Sequence, residues 1–590
     1  MRRLIAILLA TLAVANPNTP NCRCKPHENC WPSQEEWSNL NTTIHGNLHA
    51  LRPAASVCYE PELDSSACAV VSEGWSNSSW RATHAGTVQW ENWEAWPEHH
   101  QACFIGNAGD ATCDQGRIPL YSAAVESAAD IQKAVRFAKR HNLRLVIKNT
   151  GHDILGRSTA PYSLQILTNR MKDTLLVGDF VPKGAPKHQG HGPAVTMAAG
   201  VNVQDLYTAV GAKNRVAVGG AYYTVGAAGG YIQGGGHSPI GAWKGMAADN
   251  ALEFEVVTAN GDLVHANAYQ NQDLFWALRG GGGGTFGVVT SVTVRTFDEA
   301  PAIVASLNIS TPEGDASYWD ALTDFHEALP ALNDAGGSGY YFISPNQPTK
   351  MGTVSGFMAT MIFADQADKR KTDQLYAPLL SKLNSTSTIT VQYASQPLPS
   401  VHSALFMLLD ANPDVAGVSQ WTDSRLFSRD LLISKDGPAK LISMLKCLRY
   451  DPGQVTLGNV VAGGAVAANG KTVDNAINPA WRKTITHLAF TQFWGTNTSK
   501  DATLVEEQTI RKNVTNVAVP LLQSVEGEDA MGAYLNEANP DERNFQTSFW
   551  GDKYPRLYGI KQKWDPEGLF IVRKGVGSED WDDAGLCRIA

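Results

Sequence analysis

Charged side chains are scarce in this 590-residue chain: 48 Lys and Arg and 57 Asp and Glu make up 18% of it, against a usual share of about 25%. That composition excludes a solvated, disordered protein. At this length two or three domains are expected rather than one core. The balance is acidic, with a net charge of −9, which argues against a nucleic-acid partner because such a partner needs a basic face. Long hydrophobic runs are missing beyond the N-terminus, so no membrane span is expected in the mature protein. No internal repeat is visible. Glycine, by contrast, is plentiful at 53 residues, above the usual share of about 7%, as befits a well-buried globular protein with many tight turns.

Residues 1–15 combine a basic start, a short apolar run and Ala13-Val-Ala15. This is the pattern of a secretory signal peptide with cleavage expected after Ala15. Sequons at Asn41, Asn77, Asn308, Asn384, Asn497 and Asn513 fit a secreted, N-glycosylated protein. The cysteines number nine; Cys22, Cys24, Cys30, Cys58, Cys68, Cys103 and Cys113 cluster early, with Cys447 and Cys587 far downstream. In an oxidising compartment these predict disulfides, and the odd count leaves at least one thiol unpaired or intermolecular. Cys22, Cys24, His27 and Cys30 lack the second ligand pair of a structural zinc site, so disulfides are the better reading and no metal is expected.

Residues 16–116 are rich in Cys, Trp, Asn and Ser with little periodicity, and read as a stapled extension covering another part. The pattern then sharpens. Ser127-Ala-Ala-Asp130 resembles a capping box, Ile131, Ala134, Val135 and Ala138 line one helical face, and Leu143 to Lys148 reads as a strand. The loop that follows runs Asn149-Thr-Gly-His-Asp-Ile-Leu-Gly-Arg-Ser158. A glycine-flanked loop leaving a strand turns backbone N–H groups toward a phosphate-bearing ligand. His152 is badly placed there for core packing. It is either a loop imidazole bonded to its neighbours or a residue with chemistry to do.

A second glycine run spans residues 218–238, with Tyr222, Tyr223, Val225, Tyr231 and Ile232 interleaved. The interleaving excludes a flexible linker and points to backbone pressed against a ligand or against itself. A third, Gly280-Gly-Gly-Gly-Gly-Thr-Phe-Gly287, contains a literal Gly-x-Gly-x-x-Gly. It lies after a helix-like segment, Asp273 to Leu278, and before a strand-like one, Val288 to Val294. A dinucleotide fingerprint needs strand first and helix second, so an NAD site is rejected. From Ala300 to about Gln523 no sharp motif stands out. Strong local signals return at Tyr534-Leu-Asn-Glu537, with helix-compatible Pro555 to Lys563 beyond.

Together, the runs at 148–158, 219–238, 273–287 and 534–570 resemble the secreted FAD-linked oxidases of the vanillyl-alcohol oxidase / p-cresol methylhydroxylase (PCMH-type) superfamily. The branch most similar is the berberine-bridge-enzyme-like one, with fungal members of the isoamyl-alcohol-oxidase type. The resemblance implies an α+β fold with a PCMH-type FAD-binding domain split in sequence around a substrate domain of antiparallel sheet and helices. Its expected parts are residues 117–298 for the FAD-binding domain, 299–530 for the substrate domain and 531–590 for the returning C-terminal segment. It implies that His152 carries a covalently bound flavin, with Asn149, Thr150, Gly151, Asp153 and Ser158 at the pyrophosphate. Thr224, Val225, Gly226, Gly230, Gly234, Gly236, His237 and Ser238 match the family's loop against the pyrophosphate and isoalloxazine. For His237 a structural hydrogen bond is the competing role. Asp249 and Val289 fall where the family meets ribose and adenine.

Two departures from the family pattern matter. Tyr222 stands where doubly tethered members have cysteine, so a single link through His152 is expected. The segment Gly463-Gly-Ala-Val-Ala-Ala468 lacks the glutamate used for berberine-type ring closure, and Glu537 replaces the second tyrosine of the family's Tyr-x-Asn-Tyr motif. Glu537 is the candidate base for the hydroxyl proton of an alcohol, with a pKa raised by burial, and Tyr534 the group orienting the substrate oxygen. Pairing of Glu537 with Arg543 is the alternative. The expected activity is oxidation of an alcohol to a carbonyl with O2 as acceptor, giving H2O2. A dehydrogenase or cyclase on the same fold, or a colourless non-catalytic glycoprotein, are the alternatives.

Overall fold

A computed structural model describes residues 21–107, 112–350, 352–411, 414–495, 499–528 and 530–589. The expected signal peptide and the Asn497 sequon lie outside the described residues. The Ser127 side-chain oxygen accepts the Asp130 N–H and starts the helix Ala128–Arg140, satisfying a donor that helix geometry leaves orphaned. Its buried face carries Ile131, Ala134, Val135 and Ala138. These join Leu145, Leu164 and Ile166 in one apolar cluster, which lays the helix on a four-stranded sheet. That sheet runs in the order Leu48–Ala50, Tyr121–Ala124, Ser163–Leu167, Arg144–Lys148. Its first pair is antiparallel and the other two are parallel.

A five-stranded antiparallel sheet follows, ordered Thr174–Val177, Ala194–Ala198, Val288–Arg295, Ala251–Val257, Leu263–Asn267. The third sheet is a seven-stranded antiparallel one. Its order is Thr390–Leu398, Ala302–Pro312, Gly352–Ala364, Gly337–Thr349, Thr456–Val460, Thr484–Trp494, Ser419–Ser428. Strand alternation divides it in two. Tyr341, Leu488 and Phe490 bury one face with Leu322 and Phe325 of the helix Ser317–Asp334. Tyr340, Phe342 and Leu457 turn to the opposite face and join the apolar cluster of the earlier domain. The polar Asn459 and His487 are paired across adjacent strands. The fold is thus α+β, as expected.

The helix Tyr554–Trp564 brings the chain back to its first half. Leu557 and Ile560 are buried in the same cluster as Leu274, Phe275 and Trp276 of the helix Gln272–Leu278. The N-terminal extension is more than a cover, because its strand Leu48–Ala50 is an integral part of the first sheet. Disulfides join Cys22 to Cys587, Cys24 to Cys30, Cys58 to Cys68 and Cys103 to Cys113, and Cys447 is free and exposed. The Cys24–Cys30 bond consumes two of the thiols a zinc site needs. Among the described residues no helix is long and apolar enough to cross a membrane.

Candidate active site

The strand Arg144–Lys148 delivers its following loop to a junction of four segments. His152 Nε2 lies 2.5 Å from Thr224 Oγ1 and 3.3 Å from Ser78 Oγ. It also lies 3.8 Å from Asp414 Oδ2, with side-chain exposures of 12% for His152 and 6% for Asp414. Thr224 belongs to the second glycine run, Ser78 opens a short helix of the N-terminal extension, and Asp414 precedes the strand Ser419–Ser428. Burial opposes the charge on Asp414. The nearby His152 imidazole and the donors of Thr224 outweigh it and hold the carboxyl below its ordinary range.

The first loop is braced by the extension. Gln89 donates its side-chain amide to the Thr150 carbonyl at 2.9 Å and its N–H to the Gly151 carbonyl at 3.1 Å. Asp153 closes the loop on itself by accepting the N–H groups of Leu155 at 3.3 Å and Ser158 at 2.5 Å. Gly156 must be glycine. Its φ is +72°, and a Cβ there would sit 2.4 Å from the ring of Trp93.

The second glycine run packs on the first loop. Asn149 donates to the Ala199 carbonyl at 2.6 Å, and a Cβ on Gly226 would come within 2.4 Å of the Asn149 amide nitrogen. The Val225 carbonyl accepts the Val203 N–H, while Gly230 and Gly234 lie against Asn536, whose amide reaches the Gly230 carbonyl at 3.2 Å. Gly236 has φ +71°, and its carbonyl accepts the Ala247 N–H. Ser238 is fully buried, and its hydroxyl oxygen accepts the Ile240 N–H. The third glycine run buttresses the second. The N–H groups of Gly280 and Gly282 donate to the Gln233 carbonyl, and a Cβ on Gly283 would lie 2.7 Å from Gly230 Cα.

At the far end of the second run, His237 Nε2 is 2.9 Å from Glu537 Oε1. His487 Nδ1 stands 3.7 Å from the other carboxylate oxygen. Tyr534 closes the group, its ring 5.2 Å from His237, 5.4 Å from Trp481 and 5.7 Å from His487. Tyr534 and Glu537 are the two ends of one turn, the Glu537 N–H reaching the Tyr534 carbonyl at 2.8 Å.

The expected rise in the Glu537 pKa is corrected. Burial does raise it, but the charge and the hydrogen bond of His237 reverse the sign, leaving the carboxyl below its ordinary range. The alternative pairing with Arg543 is also absent, since that guanidinium donates to Asn516. Burial pushes the His487 imidazole down to about 4. Tyr534 is raised by burial and by the Glu537 charge. The nearby donors of His237, His487 and Glu537 lie close enough to surround a cation. The 2.9 Å contact is a hydrogen bond, however, and the Asn459 amide donates to His487 Nδ1 at 2.7 Å, so these two nitrogens are already engaged within the protein.

Two expected residues are not brought to this junction. Both oxygens of Asp249 are taken by the Arg482 guanidinium at 2.7 and 2.9 Å and by Asn475 and Asn469 at 2.8 and 3.0 Å. These bonds tie the segment after the second glycine run to the residues that precede the strand Thr484–Trp494. Val289 pairs with Val256 in the five-stranded sheet and is packed in the core.

Buried polar atoms without a protein partner test whether FAD fits these loops. Asn149 Oδ1 and Gln233 Oε1 lie along the glycine loops, and His237 Nδ1 and His487 Nε2 near Glu537. Leaving such atoms unpaired costs about 1–3 kcal/mol each, and a ligand rich in donors and acceptors along this line satisfies them. The residues therefore fit the cofactor.

The comparisons agree. The family model described as "FAD binding domain" matches residues 119–267, and that described as "Berberine and berberine like" matches residues 533–577. An "Uncharacterized FAD-linked oxidoreductase" of Arthroderma benhamiae is 49% identical, over 99% of this chain and 98% of that protein. This chain belongs to the FAD-linked oxidoreductases of the vanillyl-alcohol-oxidase type, in the berberine-bridge-like branch. Within that family, the FAD-linked oxidoreductase malF of Malbranchea aurantiaca is 42% identical over 96% of this chain and 94% of its own length. The solved VAO-type flavoprotein MtVAO615 of Myceliophthora thermophila superposes with a TM-score of 0.82 at 32% identity, covering 96% of this chain and all of that one.

Asp414, Ser78, His487 and Tyr340 escaped the sequence reading. None lies in a glycine run, and each reaches the site from a segment distant in sequence.

Proposed function

We propose that this FAD-linked oxidoreductase is a secreted oxidase that converts an alcohol to a carbonyl and passes the electrons to O2, giving H2O2. The observation that carries the proposal is the Glu537 carboxylate, held as an anion by His237 beside the Tyr534 hydroxyl. When bound, FAD supplies the two-electron acceptor for the hydride that leaves carbon. Glu537 accepts the hydroxyl proton, with His237 Nε2 fixing the carboxylate by its hydrogen bond. Tyr534, its phenol kept protonated by burial, donates to the substrate oxygen. Tyr340 and Trp481 line the approach around His237, their ring centres 6.2 and 6.3 Å away, and exclude water from the proton transfer.

His152 is the proposed single point of covalent attachment. Its Nε2 is engaged by the protein, and the Tyr222 ring lies 6.4 Å from its own. Secretion is supported by the four disulfides and by exposed sequon residues Asn77, Asn308 and Asn384. Cleavage after Ala15 and occupied glycans are part of the same reading.

The test is an H2O2-coupled screen of aliphatic and benzylic alcohols, followed by anaerobic flavin reduction in Glu537→Gln. Reduction should slow by about 10²–10⁴-fold. In the wild type any loss of rate on the acid side should lie below the ordinary carboxylate range, because the Glu537 pKa is lowered. A Glu537→Gln rate within a few-fold of wild type would remove the base from this residue. Reduced protein that reoxidises in air over minutes rather than seconds would make it a dehydrogenase.

A further inference from the structure

The hydrogen-bond donors around His152 can be counted one by one. Asp414 Oδ2 receives the Thr224 N–H at 2.8 Å and also contacts the Thr224 hydroxyl, while Oδ1 receives the Tyr223 N–H at 3.0 Å. An ionised carboxylate only accepts, so the single hydroxyl hydrogen of Thr224 points to Asp414. The Thr224 oxygen then has only lone pairs left. It offers them to Ser78 Oγ and to His152 Nε2, both at 2.5 Å. His152 Nε2 must therefore carry the ring proton, and in a neutral imidazole Nδ1 is left bare.

We propose that Asp414 is a positioning residue for covalent flavin attachment: acting through Thr224, it holds the His152 proton on Nε2 and leaves Nδ1 as the bonding nitrogen. The inference rests on the proposed attachment through His152. In that step Nδ1 bonds to the flavin 8-methyl carbon as one of its C–H bonds breaks. The methyl proton and the Nε2 proton are released, and two electrons pass to dioxygen, giving H2O2. The imidazole gains positive charge while the new bond forms, with the Asp414 carboxylate 3.8 Å from Nε2 to stabilise it. Asp414 comes from the segment leading into the seven-stranded sheet and Ser78 from the N-terminal extension. Attachment thus requires all parts of the molecule to be docked first.

The experiment uses the full chain produced under riboflavin limitation and then mixed with FAD. Covalent attachment is followed by intact mass and by flavin retained on acid-precipitated polypeptide, and non-covalent binding by quenching of flavin fluorescence. Asp414→Asn and Thr224→Val should bind FAD yet attach it about tenfold or more slowly. Thr224→Ser, which keeps the hydroxyl, should restore the wild-type rate. Attachment at the wild-type rate in Asp414→Asn, with none in His152→Ala, would overturn the role of Asp414 and leave His152 as the anchor. A linkage mapped to Nε2 would overturn it equally. Wild-type chain that releases all its flavin in acid would instead refute attachment through His152, and this inference with it. If Asp414→Asn does not fold, the Thr224→Val and Thr224→Ser pair decides.

Discussion

Asp249→Asn tests how the two large parts of the molecule are held together. The Asp249 side chain is fully buried and that of Arg482 is 14% exposed. Besides the two guanidinium bonds, the carboxylate receives Asn469, Asn475 and the Met246 N–H at 3.2 Å. Desolvation of Asp249 is the largest single influence on it, yet these donors reverse it and hold the carboxyl below its ordinary range. Removing one partner of a buried pair leaves the other charge uncompensated, at a cost of about 3–5 kcal/mol. With a urea m-value of about 3 kcal/mol/M, the unfolding midpoint followed by tryptophan emission should fall by about 1 M. Arg482→Gln should lose a similar amount, and the double variant little more than either alone, a coupling of about 3 kcal/mol or more. Two results would refute this reasoning: additive losses from the two substitutions, or an Asp249→Asn variant of wild-type stability that binds FAD weakly. The second would assign Asp249 to the ribose.

Burial pushes the His326 imidazole down to about 4, against about 6.5 in the unfolded chain. The unfolded state therefore binds the proton first, so stability is full above pH 6.5 and declines by about 3 kcal/mol as pH falls to 4. His326→Gln should flatten that decline in urea melts at pH 4.5 and 6.5, and an unchanged slope would contradict the assignment. Gly156→Ala should lose roughly 2–5 kcal/mol by combining left-handed strain with overpacking against Trp93. Thermal midpoints measure this, and a shift confined to flavin content would contradict it. Under native, non-reducing conditions a maleimide should label one thiol per chain, at Cys447. Labelling anywhere else would break the disulfide assignment.

The local signals in the sequence were reliable where one segment determines its own structure. The Ser127 cap, the face of Ile131, Ala134, Val135 and Ala138, and the helix–glycine–strand order at 272–295 all follow from spacing and backbone freedom. The sign of the Glu537 shift was not legible, because it depends on the His237 imidazole brought from the second glycine run. The Asp249 ion pair was hidden for the same reason, its partner Arg482 lying in a stretch without a motif. Asp414 and Ser78 are small polar residues in unremarkable surroundings, and only the folded chain puts them beside His152.

The bond between Cys22 and Cys587 brings Cα atoms 565 residues apart to within 4.0 Å. The Arg588 N–H also donates to the Asn21 carbonyl at 2.7 Å. The disulfide closes residues 22–587 into a ring. A single cut by a protease in any exposed loop opens that ring without producing two separable pieces until a reductant is added. The junction also lends itself to circular permutation: a short peptide joining residues 22 and 587 would replace the disulfide, and new ends could be opened at a surface turn.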